Sequence, residues 1–68
     1  MTELIFLVEE AADGGYTARA LGESIFTEAD TLEGLRQNVR EAVACHFDEG
    51  LGPKILRLHF VHEEVLQP

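Results

Sequence analysis

Three histidines and one cysteine are the side chains of this sequence that could hold a metal ion or act as base and nucleophile. His59 and His62 lie three positions apart on a predicted strand, so they project to opposite faces of a sheet. His46 lies on a predicted helix that should meet the face opposite His59, and Cys45 and His46 are helical neighbours that point about 100° apart. We therefore predict no metal site, no cofactor and no catalytic residue. Cys45 is expected to be a small packing residue, His46 to be partly buried and hydrogen-bonded, and His59 to lie at the surface or in an interface.

The acidic pairs and the glycine pair have plainer explanations than catalysis. Glu9-Glu10 and Glu63-Glu64 follow predicted strands, where solvated charges are ordinary. Gly14-Gly15 lies between two strands and opens no helix, so it lacks the backbone donors and the dipole of a phosphate-binding loop. The preceding aspartate and the two glycines are typical of a hairpin turn. These patterns predict a protein that is not an enzyme.

The length and the net charge of the chain limit the classes of molecule that it can bind. The 68 residues form one predicted domain, 1–68, and thirteen acidic against five basic side chains give a formal net charge of -8. This charge repels nucleic-acid phosphates and anionic membranes but attracts a basic protein. No run approaches the roughly 20 apolar residues of a membrane helix, no secretion signal is visible, and the single cysteine allows no internal disulfide. We expect a cytoplasmic protein with no direct nucleic-acid or membrane partner.

Hydrophobic periodicity predicts four strands and a helix. Continuous or alternating apolar residues favour strands, and helical spacing of Leu32, Leu35, Val39, Ala42, Val43 and His46 favours a helix capped by Asp30 or Thr31. The predicted strands cover 4–8, 16–21, 24–28 and 55–62, and the helix is expected to end at Gly50, Gly52 and Pro53.

This element order predicts an α+β fold with a β-β-β-α-β layout. Two hairpins make the first three strands antiparallel, and a right-handed crossover through the helix lays the fourth strand beside the first. The predicted sheet order is 3-2-1-4, with the unbroken apolar strand 4–8 in the centre. A single helix covers one face of the sheet, so the other face should be covered by a second copy in a homodimer or a higher oligomer.

Several polar, aromatic and acidic residues are candidates for contacts with a partner or within an oligomer. Acidic residues at a predicted helix C-terminus oppose the helix dipole, and either an acidic patch for a basic partner or a helix end that frays into a solvated loop would explain them. The other candidates lie on predicted strands outside the continuous apolar run. The candidate interface residues are Tyr16, Arg19, Asp48, Glu49, Arg57, His59 and Val61.

Four short patterns stand in a fixed order along the chain: Gly14-Gly15-Tyr16-x-Ala18, Leu21-Gly22, Thr27-x-Ala29-Asp30-Thr31-x-Glu33 and Asn38-x-x-Glu41-Ala42. Their order and spacing resemble the HicB antitoxin family, including its small single-domain relatives. The resemblance covers about residues 4–62 and implies a degenerate, truncated ribonuclease-H-like fold without a working nuclease centre. Glu3, Glu9 and Glu28 do not form a credible carboxylate set for two metal ions roughly 3.5–4 Å apart.

The resemblance also implies a partner. HicB proteins neutralise HicA, a small basic RNA-cleaving toxin, and many carry a C-terminal DNA-binding segment, for which we expect no room before Pro68. The Pro-Gly-Cys pattern frequent in the family is replaced here by Gly22-Glu23-Ser24-Ile25, so toxin contacts at that place are not carried over. The expected function is a non-enzymatic HicB-like protein-binding domain that neutralises a HicA-type toxin. The alternative is an orphan self-associating module that binds a small ligand or another protein.

Overall fold

The computed structural model describes residues 2–68, which form a four-stranded sheet with a helix on one side. Strand formers and alternation produce the strands, while the apolar positions at helical spacing produce the helix. The elements are β1 (Glu3–Glu10), β2 (Tyr16–Ala20), β3 (Phe26–Ala29), α1 (Leu32–His46) and β4 (Ile55–Val61).

The sheet has the order β3-β2-β1-β4, which confirms the predicted α+β fold and strand order. β1 pairs antiparallel with β2, with Phe6 opposite Ala20, and parallel with β4, with Phe6 opposite Leu58. β2 pairs antiparallel with β3. β1 is therefore a central strand, which explains why its residues are apolar on both faces.

The hairpin between β1 and β2 is closed by the aspartate and glycines that predicted it. The backbone N–H of Gly15 donates to Asp13 Oδ1 at 3.1 Å, and Gly14 has a φ of 94°, in the left-handed region that favours glycine. A Cβ on Gly15 would lie 3.0 Å from the carbonyl oxygen of Ala29, so β3 approaches this turn too closely for a side chain. Both glycines are accounted for by the backbone.

The hydrophobic core lies between α1 and the face of the sheet that it covers. Phe6, Ala18 and Leu35 are fully buried, and Val39 is 1% exposed. Alternate strand residues and one stripe of the helix supply this core because side chains repeat with period 2 in a strand and 3.6 in a helix. The buried apolar residues are Leu4, Phe6, Val8, Ala18, Ala20, Ile25, Leu35, Val39 and Val43.

Two side-chain hydrogen bonds fix the start of α1 and its position over the sheet. The Thr31 hydroxyl accepts from the Gly34 backbone N–H at 3.0 Å, which confirms Thr31 as the N-cap. Asn38 Nδ2 donates to the carbonyl oxygen of Glu28 at 2.9 Å and so joins the helix to β3. The Asn38 of the family-like pattern therefore has a structural role.

The helix ends earlier than the sequence predicts. It stops at His46, and Phe47 is extended with φ -107° and ψ 147° while its N–H donates to the Val43 carbonyl. Phe47 packs partly buried against the core, so the chain turns toward β4 four residues before the expected stop. Gly50 does have a positive φ of 82°, but in the later turn where the Leu51 N–H donates to the Asp48 carbonyl. The acidic residues at 48 and 49 thus lie off the helix.

Six strand boundaries also differ from the prediction by one or two residues. β1 runs to Glu10 because that residue pairs with Tyr16 on β2. β3 starts at Phe26, since Gly22 turns the chain with a φ of 89° and Ile25 is directed into the core, 6% exposed. β2 and β4 each end one residue before the predicted bound, at Ala20 and Val61.

The prediction that Cys45 is a packing residue is wrong, because the structure places it on the exposed side of α1. Two helical positions turn about 200°, which carries Cys45 away from the sheet-facing Val43. His46 lies at the end of the helix with 35% of its side chain exposed, and its Nε2 is 3.4 Å from Glu23 Oε2. His46 is therefore exposed and not partly buried as predicted, and its acidic neighbour comes from the β2–β3 connection. Within 2–68, no helix has the length and apolar character needed to cross a membrane.

Replacing Leu35 with alanine is expected to lower the free energy of unfolding by about 2–5 kcal/mol, because it leaves a cavity at the centre of the core. Leu51→Ala is the matched control, since Leu51 is 67% exposed and its truncation should change stability by under about 0.5 kcal/mol. Urea unfolding followed by circular dichroism measures both. Equal losses in the two variants would contradict the position of the core.

Candidate protein-interaction surfaces

The face of the sheet opposite α1, here called the open face, has no other element packed on it within the described residues 2–68. Strand alternation and the observed register put one set of side chains from all four strands on this face. The open face consists of Glu3, Ile5, Leu7, Glu9, Thr17, Arg19, Phe26, Glu28, Ile55, Arg57, His59 and Val61.

Several large apolar side chains on the open face are exposed to solvent. Phe26 is 61% exposed, Ile55 47% and Val61 46%, while Ile5 and Leu7 are half-buried between the neighbouring strands. Scattered apolar residues are normal on a surface, but these five lie on one side of one sheet. A protein surface of this kind is typical of an interaction site.

Charged residues on the open face lie between these apolar residues. Arg57 Nε pairs with Glu3 Oε2, with both side chains largely exposed. Arg19 lies directly opposite Phe26 on β3 and Leu7 on β1, so its cation is placed beside apolar surface. The face therefore presents guanidinium and carboxylate groups that a polar rim of an interface would use.

The structure brings together four of the seven interface residues that the sequence proposed. Arg19, Arg57, His59 and Val61 share the open face, and His59 is exposed as predicted. Tyr16 lies on the opposite, helix-covered face, partly buried against the core. The remaining two, Asp48 and Glu49, are exposed in the connection between α1 and β4.

A second surface, missed from the sequence, is a groove between α1 and β4, here called the α1–β4 groove. The helix packs over β2 and β3, so the helix-side residues of β4 are only partly covered. A cavity of about 540 Å³ is lined by Val43, Phe47 and Leu56, and an adjoining hollow extends it to Leu58. The sequence did contain a signal, because a helix about 10–12 Å wide cannot cover four strands that together span about 19 Å.

The α1–β4 groove is also where most of the positive charge of the chain lies. Arg36, Arg40 and Lys54 line the cavity and the adjoining hollow, and they are three of the five basic residues in the sequence. Asp48 and Glu49 line the same cavity, next to the loop that enters β4. The groove thus combines an apolar floor with side chains of both charges.

The carboxylates give no geometry for metal chemistry. Glu3 and Glu9 share the open face but lie six residues apart on β1, or about 20 Å. Two-metal catalysis needs acids that converge on ions about 3.5–4 Å apart. Across residues 2–68, no group of three histidine, cysteine, aspartate or glutamate side chains is placed to hold a metal ion.

Two known proteins are similar to this chain over most of its length. A UPF0150 protein from Archaeoglobus fulgidus is 64% identical over 52 residues, which cover 76% of this chain and 77% of that protein. This chain belongs to the UPF0150 family. A second UPF0150 protein, from Thermotoga maritima, is 44% identical over 61 residues, or 90% of this chain and 86% of the relative. No family model and no solved structure matches this UPF0150 chain.

Replacing Arg57 with alanine is expected to change the free energy of unfolding by under about 1 kcal/mol, because exposed ion pairs contribute little. Glu3→Gln should have a similarly small effect, and the double variant should show weak coupling between the two residues. Urea unfolding of the four proteins measures this. A coupling energy of several kcal/mol between Arg57 and Glu3 would show that Arg57 stabilises the fold and is not available to a partner.

Proposed function

We propose that this UPF0150 chain is a non-enzymatic, HicB-like protein-binding domain that neutralises a small basic RNA-cleaving toxin of the HicA type. The open face is the observation that carries the proposal. It offers exposed apolar side chains, a polar rim and no covering element within residues 2–68. A partner protein that covers this face would bury Phe26 and its apolar neighbours.

The distribution of charge supports a basic partner. The formal net charge is -8, and Glu9 and Glu28 lie at the end of the open face beside Phe26 and Val61. Long-range attraction speeds the encounter of an acidic protein with a basic one, and salt weakens it because the Debye length is only about 8 Å at physiological ionic strength. An acidic protein seated on a basic toxin also competes with the RNA phosphates for the same charges.

A non-enzymatic role is supported by the wide separation of the acidic residues and by the positions of the histidines. His46 contacts Glu23 at one end of the helix, whereas His59 lies on the open face. Neither histidine has a nucleophile placed beside it among the contacts of the described chain. Inhibition through binding requires no such group, because covering the toxin suffices.

Replacing Phe26 with serine is expected to weaken toxin neutralisation, since it removes the most exposed aromatic side chain of the open face. RNA cleavage by the cognate toxin is measured with increasing amounts of the protein. Wild type should stop cleavage near an equimolar ratio, and Phe26→Ser should require at least about tenfold more protein, or about 1.4 kcal/mol of binding free energy.

Phe60→Ser is the matched control. Phe60 has a similar exposure, 54%, but lies on the other face of the sheet, so its loss should leave neutralisation intact. Circular dichroism confirms that both variants are folded. Undiminished RNA cleavage in the presence of excess wild-type protein would remove the antitoxin proposal, and a small metabolite that raises the melting temperature would favour the ligand-binding alternative.

A further inference from the structure

We propose that two copies of this chain pair through their β4 edges and that each inserts its segment 62–68 into the α1–β4 groove of the other. The proposed toxin neutralisation does not depend on this pairing, whereas the sequence-based expectation of a homodimer placed the second copy on the open face. It assigns the second copy to the β4 edge and leaves the open face of both copies free for a different protein.

The segment 62–68 is the first observation. Every residue in it is exposed, it forms no helix or strand, and Val65 and Leu66 are 82% and 78% exposed. Two adjacent apolar side chains held in water on an extended segment gain free energy wherever an apolar groove accepts them. The α1–β4 groove, with Phe47 and Leu56 in its walls, is such a place.

Charge complementarity is the second observation. The segment carries Glu63 and Glu64 immediately before Val65 and Leu66, while Arg36, Arg40 and Lys54 line the groove together with Asp48 and Glu49. The two glutamates of the segment would pair with these cations, and Val65 and Leu66 would contact the apolar floor. Such complementarity fixes which segment binds and in which register, even where its net contribution to affinity is small.

The surface area is the third observation. The chain exposes 5211 Å² of accessible surface, whereas a compact monomer of 7.6 kDa exposes about 4300 Å². The excess of about 900 Å² is close to the roughly 800 Å² that each partner buries in a standard interface. The radius of gyration, 13.3 Å, likewise exceeds the roughly 11 Å of a compact chain of 68 residues.

The unpaired outer edge of β4 would allow two copies of the chain to pair symmetrically. β4 pairs only with β1, so its outer edge of seven residues is unpaired, and its only charged residue is Arg57 apart from the titratable His59. Unpaired edges of this length pair readily with another strand. Two β4 edges centred on Leu58 would pair antiparallel about a two-fold axis, which places Val61 opposite Ile55 of the other copy, and each segment 62–68 would then enter the groove from Lys54 onward.

The same chain cannot fill its own groove in this way. Its segment leaves β4 after Val61, whereas Lys54 and Leu56 lie at the start of that strand. A return along β4 needs a tight turn at His62-Glu63, which has none of the glycine, asparagine or proline of such turns. It would also leave Val65 and Leu66 beside the Phe60 end of the strand, short of the groove.

The first test compares dimerisation of full-length variants by size-exclusion chromatography with light scattering. Val65→Asp together with Leu66→Asp should raise the dimer dissociation constant at least about tenfold, because charged side chains would have to enter an apolar groove. Both residues are highly exposed in one chain, so the melting of the monomer should not change. Phe26→Ser should leave the dimer intact.

The second test captures the inserted segment by a disulfide cross-link between two copies. In a Cys45→Ser background, Lys54→Cys and Leu66→Cys in one chain should give, under mild oxidation, a band at twice the monomer mass that disappears on reduction. Glu33→Cys with Leu66→Cys is the control and should give little, because Glu33 is in the first turn of α1, away from the groove.

The outcomes separate this inference from the proposed function. A monomeric wild type at high concentration, a dimer dissociated by Phe26→Ser but not by the Val65 and Leu66 changes, or a Lys54–Leu66 link within a single chain would each overturn it. A dimer that depends on the segment but does not inhibit the toxin would support it while contradicting the proposed neutralisation.

Discussion

A single helix has to cover a sheet that is wider than the helix. α1 packs over β2 and β3, and its buried residues Leu35, Val39 and Val43 complete one core with Phe6 and Val8. Burial of this one layer provides most of the free energy that offsets the ordering of the chain. Everything beyond the helix, on the far face of the sheet and along β4, is left at the surface.

Two surfaces result from this geometry, and they differ in chemistry. The open face mixes apolar and charged side chains, with Phe26 and Val61 exposed on its two edge strands beside Glu28 and Glu9. The α1–β4 groove has an apolar floor and is lined by three cations and two acids. Because they lie on opposite faces of the sheet, one protein can use the groove for its own second copy and the open face for another protein.

The hydrogen bond from Asn38 to β3 and the cap at Thr31 show how the family-like patterns act in this fold. Asn38 holds the helix over β3, and the Thr31 hydroxyl accepts a hydrogen bond from a free backbone N–H at the helix start. Gly14 and Gly15 close a turn that β3 approaches closely. The parts of the sequence that define the resemblance therefore encode the scaffold. The surfaces that would decide a partner lie between those patterns, which is why sequence patterns alone predict the fold better than the function.

The sequence by itself determined the element order, the sheet order and the core. The continuous apolar run of β1, the alternation of β4 and the helical stripe at Leu35, Val39 and Val43 are local periodicities, and local periodicity decides which side of an element faces inward. Four of the seven proposed interface residues also followed from strand alternation, because their strands were assigned correctly. The tertiary structure alone decided the end of α1, where packing of Phe47 overrode the expected glycine stop, and the exposure of Cys45 on the far side of the helix. The tertiary structure alone also decided where the groove forms. The lateral position of a helix over a sheet depends on contacts between different elements, such as the hydrogen bond of Asn38 to Glu28. Such contacts leave no periodic pattern in the sequence.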